Sequence, residues 1–388
     1  MIFRSSLASA SLVSAGLSIS IAVAACGSSS DDSTFGKGTS ENNASGGNNG
    51  FIPNDSNVGS PGGSSGSVGN VGSVTPGSAC ATSNAGATRP PAYLVFMYDR
   101  SISMNDKVGG TTKWAACKTG LENFFASSSS AGIRASLTFF GKDANASTAD
   151  CSASSYTTPQ VSMEALPDAT SFKAALDATG PTTDTPTLAA LQGALTYAGQ
   201  VKAGVTDGGK VAVVLVTDGQ PKGCTGNTIT AVHDAAAAAA STIPTYVIGV
   251  GNTGNLNTIA EGGGTGTAII VNTSSPAQVT TDLENALGQI ANAQLGCEYG
   301  LPAPPAGQTL DVNAVNVDYT PSGGAQTTLA YSATCTDPNG WHYDSTSNPT
   351  QIIMCPTLCD TLKADKGGKV EIIFGCTTAV PPGGSLPK

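Results

Sequence analysis

The chain has 388 residues, of which 11% are charged, and its formal net charge at pH 7 is −10. This length accommodates one large domain or two moderate ones. Binding to nucleic acid needs a basic footprint that neutralises phosphates, so an acidic chain without runs of Lys and Arg argues against nucleic acid as a partner.

The first 26 residues have the features of a targeting segment. Arg4 supplies a positive charge, residues 7–25 are apolar and small, and Val23-Ala24-Ala25-Cys26 closes the segment. The segment resembles a bacterial lipoprotein signal, which implies that Cys26 is lipidated; an ordinary secretory signal is the alternative. By the same resemblance, Gly27 favours sorting to the outer membrane. We therefore expect a lipid-anchored, extracytoplasmic protein of the cell envelope.

Residues 27–79 consist mainly of Gly, Ser, Asn and Pro. Their few large apolar side chains cannot bury enough surface to offset the entropy lost on ordering. The composition predicts a disordered tether between the anchor and the folded part of the chain.

Predicted strands and helices alternate from about residue 90 to residue 295. Apolar runs rich in β-branched residues predict strands over 95–98, 133–140, 160–163, 211–216, 244–250 and 267–271. Helical spacing predicts helices over 113–127, 171–178, 187–201, 256–260 and 276–293, and an Ala-rich helix through 235–240. The alternation predicts the α/β class, with a mostly parallel sheet covered by helices on both faces, over a domain of residues 80–297.

The pattern changes after Cys297. Residues 301–307 are Pro-rich, and short strands are predicted over 310–319, 327–331, 351–354 and 369–374. We expect a small Cys-containing β domain over residues 298–388. Trp341 fits the core of such a domain better than an exposed recognition patch.

Oxygen-bearing side chains follow two of the predicted parallel strands. Asp99-Arg100-Ser101-Ile102-Ser103 leaves the first strand, Asp218 follows the strand at 211–216, and the loop 180–187 between them is rich in hydroxyls. Ligands of open α/β sheets collect outside the carboxyl ends of the strands. Carboxylate and hydroxyl oxygens suit Mg²⁺, Mn²⁺ or Ca²⁺ better than zinc. The sequence therefore predicts a site for a hard divalent cation.

These motifs, in this order, resemble the von Willebrand factor type A (VWA) domain with its metal-ion-dependent adhesion site (MIDAS). The resemblance implies a Rossmann-like fold. It also implies a Mg²⁺ site whose ligands are Asp99, Ser101, Ser103, Thr185 and Asp218. Thr183 and Thr187 are less favoured alternatives to Thr185. Ile102 stands where the family usually has glycine.

In the VWA family the cation keeps a position open for an acidic side chain of a partner. The resemblance thus implies adhesion or binding to a protein or surface ligand, not catalysis. Neither His233 nor His342 lies in a metal loop, where a hydrolase would need a general base. A structural or assembly subunit with a metal-independent interface is the main alternative, and an exported metal-dependent hydrolase is a remote one. With its anchor, the arrangement resembles the VWA lipoproteins of myxobacteria.

Nine of the ten cysteines follow Cys26, and export to an oxidising compartment predicts disulfides. Their positions suggest the pairs Cys80–Cys297, Cys151–Cys224, Cys335–Cys355 and Cys359–Cys376. That pairing leaves Cys117 as a buried free thiol. Zinc binding by the four C-terminal cysteines is the alternative.

Two glycine-rich segments are poor matches to nucleotide-binding motifs. In the segment from Gly204 to Lys210, Val211 replaces the Ser or Thr that would hold Mg²⁺, and a strand follows where one should precede. The segment from Gly249 to Gly254 follows a late strand, and Asn272 stands where a dinucleotide fold needs an acid. We expect no nucleotide cofactor.

Overall fold

The computed structural model describes residues 83–387 except 88, 142–149, 252–253, 305–306, 308 and 366. The expected signal segment 1–26 with Cys26, the tether 27–79 and Cys80 lie outside the described residues.

The described chain contains strands and helices in the order expected of an α/β unit followed by a β-rich unit. The strands are β1 (Ser83–Ala87), β2 (Ala92–Asp99), β3 (Lys107–Val108), β4 (Thr111–Thr112), β5 (Ile133–Phe140), β6 (Val161–Ala165), β7 (Lys210–Thr217), β8 (Thr245–Val250), β9 (Ile269–Val271), β10 (Glu298–Gly300), β11 (Val315–Thr320), β12 (Thr327–Leu329), β13 (Trp341–Tyr343), β14 (Gln351–Met354) and β15 (Lys369–Phe374). The α-helices are α1 (Lys113–Ala126), α2 (Ser171–Asp177), α3 (Thr187–Gly204), α4 (Ile229–Ala237), α5 (Leu256–Gly262), α6 (Pro276–Gln294) and α7 (Pro356–Ala364).

A six-stranded sheet forms the centre of the first part, with the strand order β6-β5-β2-β7-β8-β9. All neighbours are parallel except β6, which runs antiparallel to β5 at the edge. Strand β2 lies between β5 and β7 and is buried along its whole length. The expectation of a mostly parallel sheet is confirmed.

Helices cover both faces of this sheet because β2 and its neighbours are apolar on both sides. Leu94 and Phe96 pack in one cluster with side chains of α1 and α6, and Val95 and Met97 pack in another with side chains of α3 and α5. Among the helices of the described residues, none combines the length and the apolar character needed to cross a bilayer.

The Ala-rich helix α4 begins earlier and ends earlier than its composition predicts. Thr228 caps its N-terminus by accepting a hydrogen bond from the Ala231 backbone N–H at 3.2 Å. The residues 238–240, which the alanine run places in the helix, form a turn. The Thr228 cap therefore accounts for where this helix begins, and the alanine run does not extend the helix beyond Ala237.

The second part contains two small antiparallel sheets and one helix around a separate core. The sheets have the orders β1-β15-β11-β12 and β10-β14-β13. Trp341 is fully buried in this core and donates its indole N–H to the Leu329 carbonyl at 3.1 Å, as expected of a core residue. Helix α7, where only short strands were expected, starts with Pro356 at its first turn and buries Leu358 and Leu362.

Strand β1 departs from the expected division of the chain. It lies in the range assigned to the first domain, yet it pairs antiparallel with β15 over five residues, from Ser83 opposite Phe374 to Ala87 opposite Val370. The chain therefore first forms an edge strand of the C-terminal sheet and only then forms β2 of the parallel sheet.

Three disulfides join described cysteines, and two of them, Cys151–Cys224 and Cys335–Cys355, are pairs that the sequence suggested. The expected pairs of Cys297 with Cys80 and of Cys359 with Cys376 are wrong, because Cys297 bonds to Cys359. The Cys297 carbonyl accepts the Met354 backbone N–H at 3.0 Å, so Cys297 lies beside the segment that leads into α7. Cys359 follows in α7, about one helical turn after this segment ends.

The remaining cysteines bear on the zinc alternative and on the expected free thiol. Cys376 is also disulfide-bonded, and Cys335, Cys355 and Cys359 all lie in bridges. The zinc alternative is therefore wrong, since none of these four sulfurs is a free thiolate. Cys117 is the expected buried free thiol.

Replacing Cys297 and Cys359 together by serine should lower the free energy of unfolding by about 3–4 kcal/mol, because the bridge constrains a long loop in the unfolded chain. Guanidinium unfolding of the oxidised protein, followed by tryptophan fluorescence, measures this change. Non-reducing peptide mapping provides the control. Recovery of Cys297 bonded to another cysteine, or an unchanged unfolding free energy, would contradict the assignment.

Candidate functional site

The parallel pairing of β2 and β7 brings two acidic positions to one edge of the sheet. Tyr98 lies opposite Val216 in the register, so Asp99 at the end of β2 is next to Thr217 at the end of β7, with Asp218 directly after it. The Thr217 hydroxyl donates to Asp99 Oδ2 at 2.5 Å. Both carboxylates are buried, Asp99 completely.

The loop after β2 folds back over Asp99. The Ser101 backbone N–H donates to Asp99 Oδ1 at 2.7 Å, and the next residues form one 3-10 turn, Ile102–Asn105. This turn puts the Ser101 and Ser103 hydroxyl oxygens 3.0 Å apart. The Ser103 hydroxyl donates to Asp218 Oδ1 at 2.7 Å. Four of the five predicted ligands therefore lie in one continuous polar cluster.

Thr185 reaches the same cluster from the loop before α3. Its carbonyl accepts the Lys222 backbone N–H and the Asn227 side-chain amide, each at 2.9 Å, which holds this loop against the loop after β7. Its hydroxyl makes no hydrogen bond to another described residue. The alternatives differ: the Thr187 hydroxyl donates to the Thr185 carbonyl, and the Thr183 hydroxyl is buried with no partner in the described part of the chain.

These loops enclose an open pocket of about 290 Å³. Its lining contains three of the predicted ligands and the exposed Ile102, and consists of Ser101, Ile102, Ser103, Asp184, Thr185, Gly219, Gln220, Pro221 and Lys222. Thr185 lines the pocket, whereas Thr183 and Thr187 do not. Ser101, Ser103 and Thr185 thus line a space that a ligand can enter, and Asp218 lies behind this lining, in hydrogen-bond contact with Ser103.

Burial dominates the electrostatics of Asp99. Loss of solvent, together with the nearby charge of Asp218, raises the pKa of its carboxyl group to about 7, although the hydrogen bonds from Thr217 and Ser101 act in the opposite direction. A carboxylate at this position is therefore costly unless positive charge lies near it.

Lys113, the first residue of α1, places a cation beside the cluster. Its Nζ lies 2.8 Å from Asp218 Oδ2 and 3.0 Å from Asp106 Oδ2, and its side chain is 15% exposed. Burial alone would lower the pKa of Lys113, but the hydrogen bonds to the two carboxylates outweigh it and raise the pKa. Asp218 thus has one oxygen bound to the Ser103 hydroxyl and the other to an ammonium group.

Thr217 and Lys113 belong to this cluster but were not predicted from the sequence. The signal for Thr217 was available, because it is the last residue of a strand whose parallel neighbour ends at Asp99. Lys113 carried no comparable signal, since its position depends on where α1 begins, after the β3–β4 hairpin and the N-cap Thr112.

The atoms of the cluster that could bind a metal indicate which metals fit the site. No three His, Cys, Asp or Glu side chains cluster among the described residues in a way that could hold a metal ion. The cluster offers two carboxylates and three hydroxyls, so its donors are all oxygen. Such a set fits a hard cation that keeps some of its water, and does not fit zinc or copper.

The lysine of the first glycine-rich segment and both histidines lie away from the pocket. Lys210 begins β7 at the opposite end of the strand from Asp218, and its Nζ lies 3.4 Å from Glu298. His233 is in α4 and His342 is in β13, and neither lines the pocket.

Comparisons with known proteins agree with this topology. Residues 94–285 match the family model of the von Willebrand factor type A domain. No curated protein sequence matches the chain.

Three solved structures illustrate the range of similar proteins. Proximal thread matrix protein 1 from the mussel byssus is 17% identical over 54% of this chain and 48% of its own, with a TM-score of 0.36. A von Willebrand factor type A protein from Catenulispora acidiphila is 14% identical over 77% of this chain and 60% of its own, with a TM-score of 0.38. The pilus adhesin SpaC from Lactobacillus rhamnosus GG, in its open conformation, is 15% identical over 73% of this chain and 38% of its own, with a TM-score of 0.41.

This chain therefore covers less than two thirds of the length of each of these proteins. The family match spans the strands from β2 to β9 and all the loops that form the pocket. The part of the chain that carries the six-stranded sheet, residues 94–285, is a von Willebrand factor type A domain.

Proposed function

We propose that Asp99, Ser101, Ser103, Thr185 and Asp218 hold a divalent cation, Mg²⁺ in the first instance and Mn²⁺ or Ca²⁺ as alternatives. The support is a pocket lined by Ser101, Ser103 and Thr185, with Asp99 and Asp218 hydrogen-bonded to the two serines, and with the Thr185 hydroxyl free of other described partners. When bound, the cation supplies a positive centre that a carboxylate from another molecule can approach.

The chain's own side chains prepare this position. Thr217 and the Ser101 N–H orient the Asp99 carboxylate, and Lys113 holds the far oxygen of Asp218. The Lys113 ammonium group is shared between Asp218 and the exposed Asp106, so it does not neutralise the cluster, and a divalent cation beside Asp99 and Asp218 adds the positive charge that the cluster lacks. An incoming Asp or Glu side chain is then attracted rather than repelled.

The function that this arrangement supports best is binding of a protein or surface ligand through one of its acidic side chains, without catalysis. The pocket-lining residues include no histidine, and the two described histidines lie elsewhere in the fold. Histidine is the side chain that most often performs general acid–base work, and it would have to lie within hydrogen-bond reach of the reacting atoms.

We place this binding at the cell envelope. The segment that ends in Val23-Ala24-Ala25-Cys26 resembles a lipoprotein signal, and the Gly- and Ser-rich residues 27–79 would separate the anchor from the VWA domain. The protein would be membrane-attached through lipid on Cys26, in the outer membrane by the Gly27 criterion, as in the VWA lipoproteins of myxobacteria.

One observation favours a second candidate, a structural or assembly subunit with a metal-independent interface. Lys113 already neutralises Asp218 at 2.8 Å, so part of the charge at the site is balanced without a divalent ion. A partner could dock permanently on this surface and leave the cation unnecessary.

Calorimetric titration of the purified protein with Mg²⁺ and Mn²⁺ tests the cation site. Asp99→Asn should weaken binding at least about tenfold, because it removes a negative charge next to the cation, without loss of fold, because the neutral amide is easier to bury. Asp106→Asn is the matched control: its side chain is 64% exposed, and we expect a change of less than about twofold. Equal affinity in the wild type and the Asp99 variant would contradict the proposal.

Lys113→Met should strengthen cation binding several-fold, because it removes a positive charge while the Ser103 hydroxyl still positions Asp218. Lys107→Met, at an exposed lysine of the neighbouring hairpin, should leave the affinity unchanged. The same titration measures both variants, and weaker cation binding in the Lys113 variant would contradict the charge argument.

Affinity capture from envelope and host-surface extracts, with and without Mg²⁺, separates the two candidate functions. Partners of the wild type should be lost on chelation, return with Mg²⁺, and be absent with Asp99→Asn. A partner that stays bound through chelation and binds Asp99→Asn equally would favour the structural subunit.

A further inference from the structure

An exposed isoleucine stands at the rim of the pocket. Ile102 is 59% exposed and lies between Ser101 and Ser103, which face the cluster. Among the described residues only three large hydrophobic side chains are exposed, and Ile102 is the most exposed of them. The core does not need it there, because Met104 fills the apolar position of the same turn and is fully buried.

The loop after β7 provides a second part of the rim. Gln220, Pro221 and Lys222 line the pocket together with Ser101 and Ser103. Lys222 is exposed, and its side chain forms no ion pair within the described part of the chain. The pocket entrance therefore combines the apolar surfaces of Ile102 and Pro221 with the ammonium group of Lys222 and the carboxyl group of Asp184, which lines the same pocket.

This rim is held in place. The Gln220 side-chain amide donates to the Gly254 carbonyl at 2.5 Å, and the Lys222 backbone N–H donates to the Thr185 carbonyl at 2.9 Å. Cys224 is bonded to Cys151 two residues further on. A rim that is already ordered loses little conformational freedom when a ligand binds, so its apolar contacts contribute to affinity.

We propose that Ile102, with Pro221, forms an apolar subsite that makes the pocket select peptide segments in which Asp or Glu is next to an aliphatic or aromatic residue. The inference rests on the proposed function, since the acidic side chain occupies the cation position. A pocket of about 290 Å³ admits one or two side chains, not a folded lobe. The ammonium group of Lys222 attracts the acidic residue whatever the residue next to it is, and this attraction is reduced by the Asp184 carboxyl group of the same lining.

Synthetic peptides on a common Gly/Ser frame test this selectivity against the full-length protein in Mg²⁺. The central pairs are Glu-Leu, Leu-Glu, Glu-Ser and Gln-Leu, and surface plasmon resonance measures the affinities. We expect Glu-Leu or Leu-Glu to bind about five- to tenfold more tightly than Glu-Ser, as partial burial of one aliphatic side chain at an open rim predicts. Gln-Leu should not bind.

Three variants separate the contribution of the apolar contact from the contribution of the Lys222 charge. Ile102→Ser should reduce the ratio of the apolar to the Ser peptide to about one, with Mg²⁺ affinity unchanged by calorimetry. Ile270→Ser is the matched control, because Ile270 is 49% exposed but lies in β9, outside the pocket lining, and should keep the ratio. Lys222→Gln should weaken all Glu peptides by a similar factor and keep the ratio.

The outcomes distinguish this inference from the function on which it rests. Mg²⁺-dependent binding of Glu peptides without preference for an apolar neighbour, or a preference that persists in Ile102→Ser, overturns the subsite and leaves the proposed function standing. If no Glu peptide binds with or without Mg²⁺, the proposed function fails and the subsite with it.

Discussion

The close approach of two buried carboxylates is the constraint on which the rest of the site depends. Because β2 and β7 are parallel neighbours, Asp99 and Asp218 end at the same edge of the sheet. Two negatively charged carboxylates that are neighbours in a solvent-poor environment repel each other and are poorly solvated. The surrounding groups can be understood as compensation: the Thr217 hydroxyl and Ser101 N–H on Asp99, and the Ser103 hydroxyl and Lys113 ammonium on Asp218.

The positions of both acids were predictable from the sequence for a simple reason. Buried parallel strands appear as continuous apolar runs, and the residue after each run must lie at the carboxyl edge of the sheet. Thr185 was harder to assign, because three threonines of one loop have similar surroundings in the sequence. Lys113 could not be assigned, since its contact with Asp218 depends on the direction in which α1 leaves a short hairpin.

The fold likewise divides into features that depend on local sequence and features that depend on contacts between distant segments. The strands 133–140, 351–354 and 369–374 were predicted with the bounds that the structure has, because their apolar patterns are local. Strand β1, with the sequence SNAGA, has no such pattern and becomes a strand only because β15 offers it an edge. The Cys297–Cys359 pairing is equally non-local, because it depends on β10 lying beside β14.

The loop after β7 shows how the chain positions its donors before any ligand arrives. At Gly223, which has a φ of +88°, an added Cβ would lie 2.5 Å from the Cβ of Asp184, so only glycine allows the two loops to approach this closely. The Asn227 side chain bonds to the carbonyls of both Thr185 and Lys222, and the Cys151–Cys224 bridge joins this loop to the chain before β6. These restraints act on the backbone and leave the Thr185 hydroxyl free of other described partners. A cation or an acidic ligand would therefore meet donors already in place, and the free energy of its binding would not be consumed in ordering the loops.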